Sequence, residues 1–359
     1  MKAVLEESNG NLGQVALKMG LVDELVTEEE MRDHLIDLIG SEEDETRYTG
    51  VGYEAYLAEQ MSFAETDADA KVAVITATGG IVDGYAGSGQ IGSLSLVERI
   101  HQAVDDDAVK AVVLRVNSGG GSKTASEIIR QSLLAVQADD IPVVASFGGV
   151  AASGGYWISA SADKIFAANT TITGSIGIFG VIPTFEKTLD RYGITTDGVS
   201  TTPLAGAASI ERGISPAFAE LIQANIEAGY SQFIEMVAES RGMTVEAVDN
   251  IAQGRVWTGA AAKEIGLVDE IGELQAAIDA AAELAELTDF DVWHVEPERS
   301  TQEQIIEALT TSVSDYLPSR PTTLLGRIQS AMRAELEWID TLNDPMHAYA
   351  ICTDCPELR

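Results

Sequence analysis

The chain has 359 residues, with 22 Lys+Arg against 57 Asp+Glu and a net charge of −35. A surface this acidic argues against nucleic acid or an anionic membrane face as a direct partner and reads as a solvated, halophile-like exterior. The sequence contains no apolar run long enough to span a bilayer and no secretory signal pattern.

Residues 1 to about 65 read as an acidic helical piece with little core of its own. Within it, Ala16–Glu24 (ALKMGLVDE) returns as Ala262–Glu270 (AKEIGLVDE), identical at six of nine positions. In its second occurrence the phrase closes a whole domain. The first occurrence is therefore expected to close one too, so that the chain begins near the end of a first repeat.

The main α/β domain is expected from about Lys71 to Leu287. Ser93 to Val104 is a polar helix carrying His101. Lys110 to Val116 (KAVVLRV) is a β-branched run of the kind that makes a buried strand, and it empties into Asn117-Ser118-Gly119-Gly120-Gly121-Ser122. A second strand, Pro142 to Ser146, leads through Gly148-Gly149 to Val150-Ala151-Ala152-Ser153-Gly154-Gly155-Tyr156, whose continuation is a helix start. Two strand–loop–helix units thus end side by side, and ligands in such units sit beyond the carboxyl ends of the strands, where free backbone N–H groups hold anions. Ser153 stands there among residues too small to shield its hydroxyl. A serine in that setting is either a close-packing device or a nucleophile, and the order of strand, glycine turn, helix, strand and serine turn favours the nucleophile.

Helices are expected at Ser215 to Arg241, Gly259 to Ile265 and Leu274 to Leu287, and a strand at Asp291 to Val295. After it come a helix at Thr301 to Val313, a break at Pro318 and Pro321, and a last helix around Leu324 to Leu342, read as packing between subunits. Cys352 and Cys355 form a C-x-x-C that is too small for a tetrahedral zinc site of its own. It reads as a surface disulfide or two idle thiols, with a zinc shared between subunits as a further option.

A serine nucleophile needs a base. None of His34, His101, His294 and His347 lies in a glycine-rich or turn context near the serine, which leaves a Ser-Lys arrangement, since a desolvated lysine becomes basic near neutral pH. Lys71, Lys110 and Lys164 open strands, and Lys187 and Lys263 lie on amphipathic helices. Lys123, after the glycine loop, is the lysine nearest the proposed site, and its simpler reading is a solvated helix-start residue.

The segments RVNSGGGSKTASEIIR (115–130), ASFGGVAASGGYWISASADKIFAANTTITGSIGIFGVIPT (145–184) and IAQGRVWTGAAAKEIGLVDEIG (251–272) resemble the C-terminal half of long-form bacterial signal peptide peptidase A, the protease IV family. The resemblance runs from about Tyr48 to the end. It implies a crotonase-like fold, related to the proteolytic subunit of Clp, built as a repeated ββα superhelix with flanking helices. It also implies Ser153 as nucleophile, Ser175 as the serine that orients a lysine ammonium, and Gly120, Gly121 and Gly154 as the oxyanion and substrate-binding region, with no metal and no cofactor. Gly119 departs from the family, which usually has proline there, and is expected to loosen the turn. The region Ser200 to Pro216, where short-form relatives carry the lysine, has none. The base is therefore expected from a first repeat.

The division expected is 1–65, the tail of that first repeat plus a linker; 66–290, the peptidase domain; and 291–359, a C-terminal helical extension. The function implied is a Ser-Lys peptidase degrading cleaved signal peptides and other hydrophobic peptides, as a homotetramer at the periplasmic face of the bacterial inner membrane, with its anchor upstream. Two other readings stand beside it: a catalytically incomplete pseudo-peptidase or scaffold, and a crotonase-type acyl-CoA enzyme. The last is disfavoured because neither glycine-rich loop carries a glutamate.

Overall fold

The computed structural model describes residues 2–8, 11–41, 47–53, 56–57, 68–87, 89–199, 201–202, 206–207, 209–296, 342–353 and 355. They fall in two compact units, Met1–Thr66 and Asp67–Arg359. The helices expected at 301–313 and 324–342, with the Pro318 and Pro321 break, lie outside the described residues.

The first unit contains the helices Lys2–Glu7, Leu12–Lys18 and Glu28–Ile39. The third starts in a reciprocal cap: the Thr27 hydroxyl accepts from the Glu30 N–H, and the Glu30 carboxylate accepts from the Thr27 N–H. The repeated phrase folds alike in both places. Gly20 and Gly266 both take the left-handed conformation, at φ +68° and +82°. Gly20 N–H bonds Leu17 O and Leu21 N–H bonds Ala16 O, while Gly266 N–H bonds Lys263 O and Leu267 N–H bonds Ala262 O. This is the paired carbonyl cap of a helix end. The two copies differ in burial. Leu267 and Val268 are 0% and 2% exposed, whereas Leu21 and Val22 are 68% and 40% exposed.

The strands of the second unit, in chain order, begin with β1 (Lys71–Thr78), β2 (Gly80–Val82), β3 (Gln90–Gly92), β4 (Val109–Ser118), β5 (Gly120–Ser122) and β6 (Val143–Ala152). There follow β7 (Lys164–Ala167), β8 (Ile172–Gly174), β9 (Phe179–Gly180), β10 (Val256–Thr258), β11 (Glu270–Ile271), β12 (Asp291–His294) and β13 (Ala348–Ile351). The main sheet has the order β10-β8-β6-β4-β1-β12, with β7 pairing β6 and β11. Its pairs are parallel except β10 with β8. The helices Ser93–Val104 and Lys123–Ala138 make the crossovers that parallel strands require.

Both faces of this sheet are covered, which is why β1, β4 and β6 read as apolar runs rather than alternating ones. Ile75, Leu114, Ala145 and Phe147 pack on one side with Leu96, Ile129, Trp157 and Phe233. Val72, Val74, Val113 and Val144 pack on the other with Ala277, Ile278 and Ala281 of the helix Leu274–Leu284. That helix stops three residues short of the expected Leu287, whose N–H instead caps it on Ala282 O.

The strand expected at Pro142 to Ser146 spans Val143 to Ala152, continuing through Gly148 and Gly149. Side chains from β4 and from the residue before β8 supply the reason: Val150 N–H donates to Asn117 Oδ1 at 3.1 Å, and Thr171 Oγ1 donates to Gly148 O at 2.8 Å. A second sheet, of order β3-β2-β5-β13-β9, contains the glycine segment of the candidate site.

Candidate active site

β6 and β8 run parallel, with Ala152 opposite Gly174, so the residues that follow them, Ser153 and Ser175, emerge at the same carboxyl edge. Both adopt positive φ, +54° for Ser153 and +49° for Ser175. A non-glycine residue there carries strain of about 1–3 kcal/mol, which persists only where the surroundings enforce it. For Ser153 they do: its N–H donates to Gly174 O at 2.8 Å, and its carbonyl accepts from Trp157 N–H at 2.8 Å. The helix that follows, Gly154–Trp157, is a single turn. Its two glycines leave no room for side chains, since a Cβ on Gly154 would lie 2.8 Å from Ser126 Oγ and one on Gly155 2.7 Å from Ser118 O. Ser153 is 1% exposed, and its Oγ has no hydrogen-bond partner among the described residues.

The glycine segment comes against this turn. A Cβ on Gly120, whose φ is +100°, would lie 2.6 Å from Gly154 N and 2.0 Å from Ala350 O, and one on Gly121 would lie 1.9 Å from Ile81 O. Gly120, Gly121 and Gly154, chosen from sequence, are thus brought together, with backbone where side chains would otherwise stand. Ser118 fixes the approach: its hydroxyl donates to Gly79 O at 2.6 Å and accepts from Gly120 N–H at 3.1 Å. Gly119 differs from its neighbours, since a Cβ there would have nothing within 4 Å. The looseness expected of it is countered by Cys352, whose N–H donates to Gly119 O at 2.7 Å.

Ser175 N–H donates to Arg255 O at 2.7 Å, and Ser175 borders a cavity of about 380 Å³ that Ile178, Phe179, Tyr230, Gln253 and Ile351 also line. Burial and the hydrogen bond it donates to Asp249 push the Tyr230 phenol up to about 12. Lys123 lies near this region, its Cε 3.5 Å from where a Cβ on Gly229 would stand. Because Ser153 Oγ is unpartnered, no described lysine or histidine bonds it. His101 is in the helix Ser93–Val104, His294 in β12, and His347, at φ +52°, precedes β13.

Three features were not found from sequence. Trp157 Nε1 donates to Glu127 Oε2 at 2.7 Å, and Glu127 also receives Arg130, tying the Ser153 turn to the helix Lys123–Ala138. Burial raises the Glu127 carboxyl, but the Arg130, Gln131 and Trp157 donors outweigh it and hold the group below the usual range. The pair Cys352–Cys355 is a disulfide, one of the readings the sequence offered; what the sequence did not show is that Cys352 is buried, packed against Val150 and Ala152 rather than at the surface. Finally, β13 lies directly on the glycine segment, where a helical extension was expected.

Among known proteins, the family model described as peptidase family S49 matches residues 135–288. A Protease 4 of Salmonella typhi is 40% identical over 359 residues, covering 99% of this chain and 57% of that protein. A putative signal peptide peptidase SppA of Enterococcus faecium is 36% identical over 55% of this chain and 58% of its own length. A putative protease of Synechocystis is 34% identical over 62% of this chain and 77% of its own length. The chain thus spans 57% to 59% of the two Protease 4 relatives it matches along nearly its whole length.

Proposed function

This chain belongs to peptidase family S49, and from that premise we propose that it carries the nucleophile half of a Ser-Lys peptidase acting on cleaved signal peptides and other hydrophobic peptides. The observation that carries the reading is the backbone strain at Ser153, held at φ +54° beside Gly120, Gly121 and Gly154. Strain maintained by so many contacts at a buried hydroxyl is hard to account for as packing alone.

In the proposed reaction Ser153 Oγ attacks the scissile carbonyl as a lysine amine takes its proton. The N–H groups of Gly121 and Gly154 hold the oxyanion, a type of contact worth about 10²–10³ in rate for each donor. The lysine ammonium then returns the proton to the leaving amine, and water enters by the same route to release the acyl group. Ser175 orients the lysine, whose side chain enters through the cavity that Ser175 borders. The lysine comes from outside the described residues, in keeping with relatives much longer than this chain. A homotetramer at a membrane surface is part of the same proposal. Among the described residues no helix is long and apolar enough to cross a membrane. Membership of S49 leaves the acyl-CoA reading without support, whereas the pseudo-peptidase reading makes a distinct prediction.

The test compares hydrolysis of a hydrophobic peptide by the 359-residue chain and by the same chain joined in cis to the N-terminal segment of its longer relatives, with that segment's dyad lysine intact or changed to alanine. Activity only in the joined chain with the lysine intact is expected. Equal activity in the short chain would place the base within it, and Lys123→Ala would be examined next. A folded, silent joined chain would favour the pseudo-peptidase.

A further inference from the structure

β13 lies between β5 and β9 and is antiparallel to both. Ile351 stands opposite Gly120, Ala350 opposite Gly121, Tyr349 opposite Ser122 and Phe179, and Ala348 opposite Gly180. Lifting β13 out would leave β5 and β9 as two facing edges one strand apart. Such a slot takes an extended peptide by main-chain hydrogen bonding and selects it by pockets for alternate side chains.

The position of β13 relative to the serine turn is specific. A Cβ on Gly120 would lie 2.0 Å from the Ala350 carbonyl oxygen and 2.6 Å from Gly154 N, and a Cβ on Gly154 would lie 3.1 Å from the same oxygen. The Ala350 carbonyl therefore sits where the glycine strand and the Gly154 amide converge, the place an acyl-transfer site reserves for the carbonyl under attack. Downstream, Ile351 and Thr353 line the cavity beside Ser175. Ala348, Tyr349 and Ala350 are all fully buried, so the slot accepts small side chains on either side of a large one.

The strand is held at both ends, after it by Cys352, whose N–H donates to Gly119 O, and before it by an anchor at Asn343 and Asp344. Asp344 Oδ2 accepts from Ser122 Oγ at 2.5 Å and Thr124 N–H at 2.9 Å, and Asn343 exchanges two hydrogen bonds with the Asp83 backbone. Between anchor and strand stands His347 at φ +52°.

We infer that Ala348–Ile351 is an internal occupant of the peptide channel, which a substrate peptide must displace before Ser153 can reach it. The inference rests on the peptidase reading of this site. It makes the C-terminal strand a competitive brake, with the Asp344 anchor keeping the segment close when the strand withdraws.

The test is binding rather than turnover, so that its failure is distinguishable from failure of the peptidase reading. A fluorescein-labelled hydrophobic peptide with alanine at every second position is titrated into the full chain, into residues 1–347, and into Ala350→Asp, which puts an unpaired charge into the slot. Apparent affinity is reduced by the fraction of molecules whose channel is open, so the dissociation constant is expected to fall about tenfold or more in both variants. Hydrogen exchange on the full chain gives a second reading independent of either variant's folding: saturating peptide should deprotect the amides of Tyr349, Ala350 and Ile351. Folded variants that bind no better than the full chain, or protection at 349–351 unchanged with peptide bound, would overturn the inference. Tighter binding without hydrolysis is expected of these three forms, none of which carries the joined segment's lysine, and would leave the inference standing; the peptidase reading is tested separately, by turnover in the joined chain.

Discussion

Ser153 donates its backbone N–H to the carbonyl of Gly174 at 2.8 Å, so the Ser153 turn hangs from the residue immediately before Ser175. This bond continues the β6–β8 pairing of Ala152 with Gly174, and both serines that follow have positive φ. The geometry belongs to the pair of strand ends, β6 and β8, rather than to either serine alone.

The strain at Ser153 predicts that its replacement by glycine stabilises the fold while removing the chemistry. Relief of about 1–3 kcal/mol at an unfavourable φ is partly offset by about 0.5–1 kcal/mol for glycine's greater freedom in the unfolded chain. Ser153→Gly should therefore unfold at a higher denaturant midpoint with an unchanged slope. A lower midpoint would mean that the turn is not strained.

Two glycines of the same segment, Gly119 and Gly121, should respond in opposite directions. Gly119 has open space and no positive φ, so Gly119→Ala is expected to stabilise by about 0.4–1 kcal/mol through the unfolded state. At Gly121 a Cβ would meet Ile81 O at 1.9 Å, so Gly121→Ala should cost about 1–3 kcal/mol or more. Thermal melts of the two variants side by side check the sign of each.

Glu127 predicts part of the acid limb of stability. Its carboxyl is held below the usual range because Arg130, Gln131 and Trp157 donors outweigh the effect of burial. A group with a depressed folded value contributes stability above its unfolded value and loses that contribution as pH falls through the folded one. Stability should thus decline as pH drops below about 4.3, the ordinary glutamate value, and Glu127→Gln should show a shallower decline. Parallel curves for the two proteins between neutral and acidic pH would contradict this assignment.

Salt should stabilise the protein. A net charge of −35 repels itself, and the Debye length falls from about 10 Å at 0.1 M to about 3 Å at 1 M. The melting temperature is expected to rise over that range, and a flat or falling one would show that the surface charges are already compensated.

What the sequence made legible was local. The run Lys110 to Val116, the glycine segment after it and the small residues around Ser153 each carry their signal in consecutive positions, and the structure brings Ser153, Gly120, Gly121 and Gly154 together. The repeated GLVDE phrase likewise encodes its own turn, with the same hydrogen bonds in both copies. What escaped was non-local. β13 is four residues long and pairs with a glycine segment more than two hundred residues earlier, where no side-chain pattern on either strand could announce the match. The extension of β6 through Gly148 and Gly149 escaped for a related reason, since it depends on Asn117 and Thr171, which lie outside β6. The burial of Cys352 follows from the placement of β13 and not from the C-x-x-C itself.

The most direct measurement of the central claim is to treat the chain, joined to the N-terminal segment of its longer relatives, with a serine-directed fluorophosphonate and map the adduct by mass spectrometry. A single adduct on Ser153, absent from a folded Ser153→Ala variant that has also lost turnover, is the result expected. An adduct on another residue, or turnover in Ser153→Ala equal to that of the parent, would contradict the assignment of Ser153 as the nucleophile.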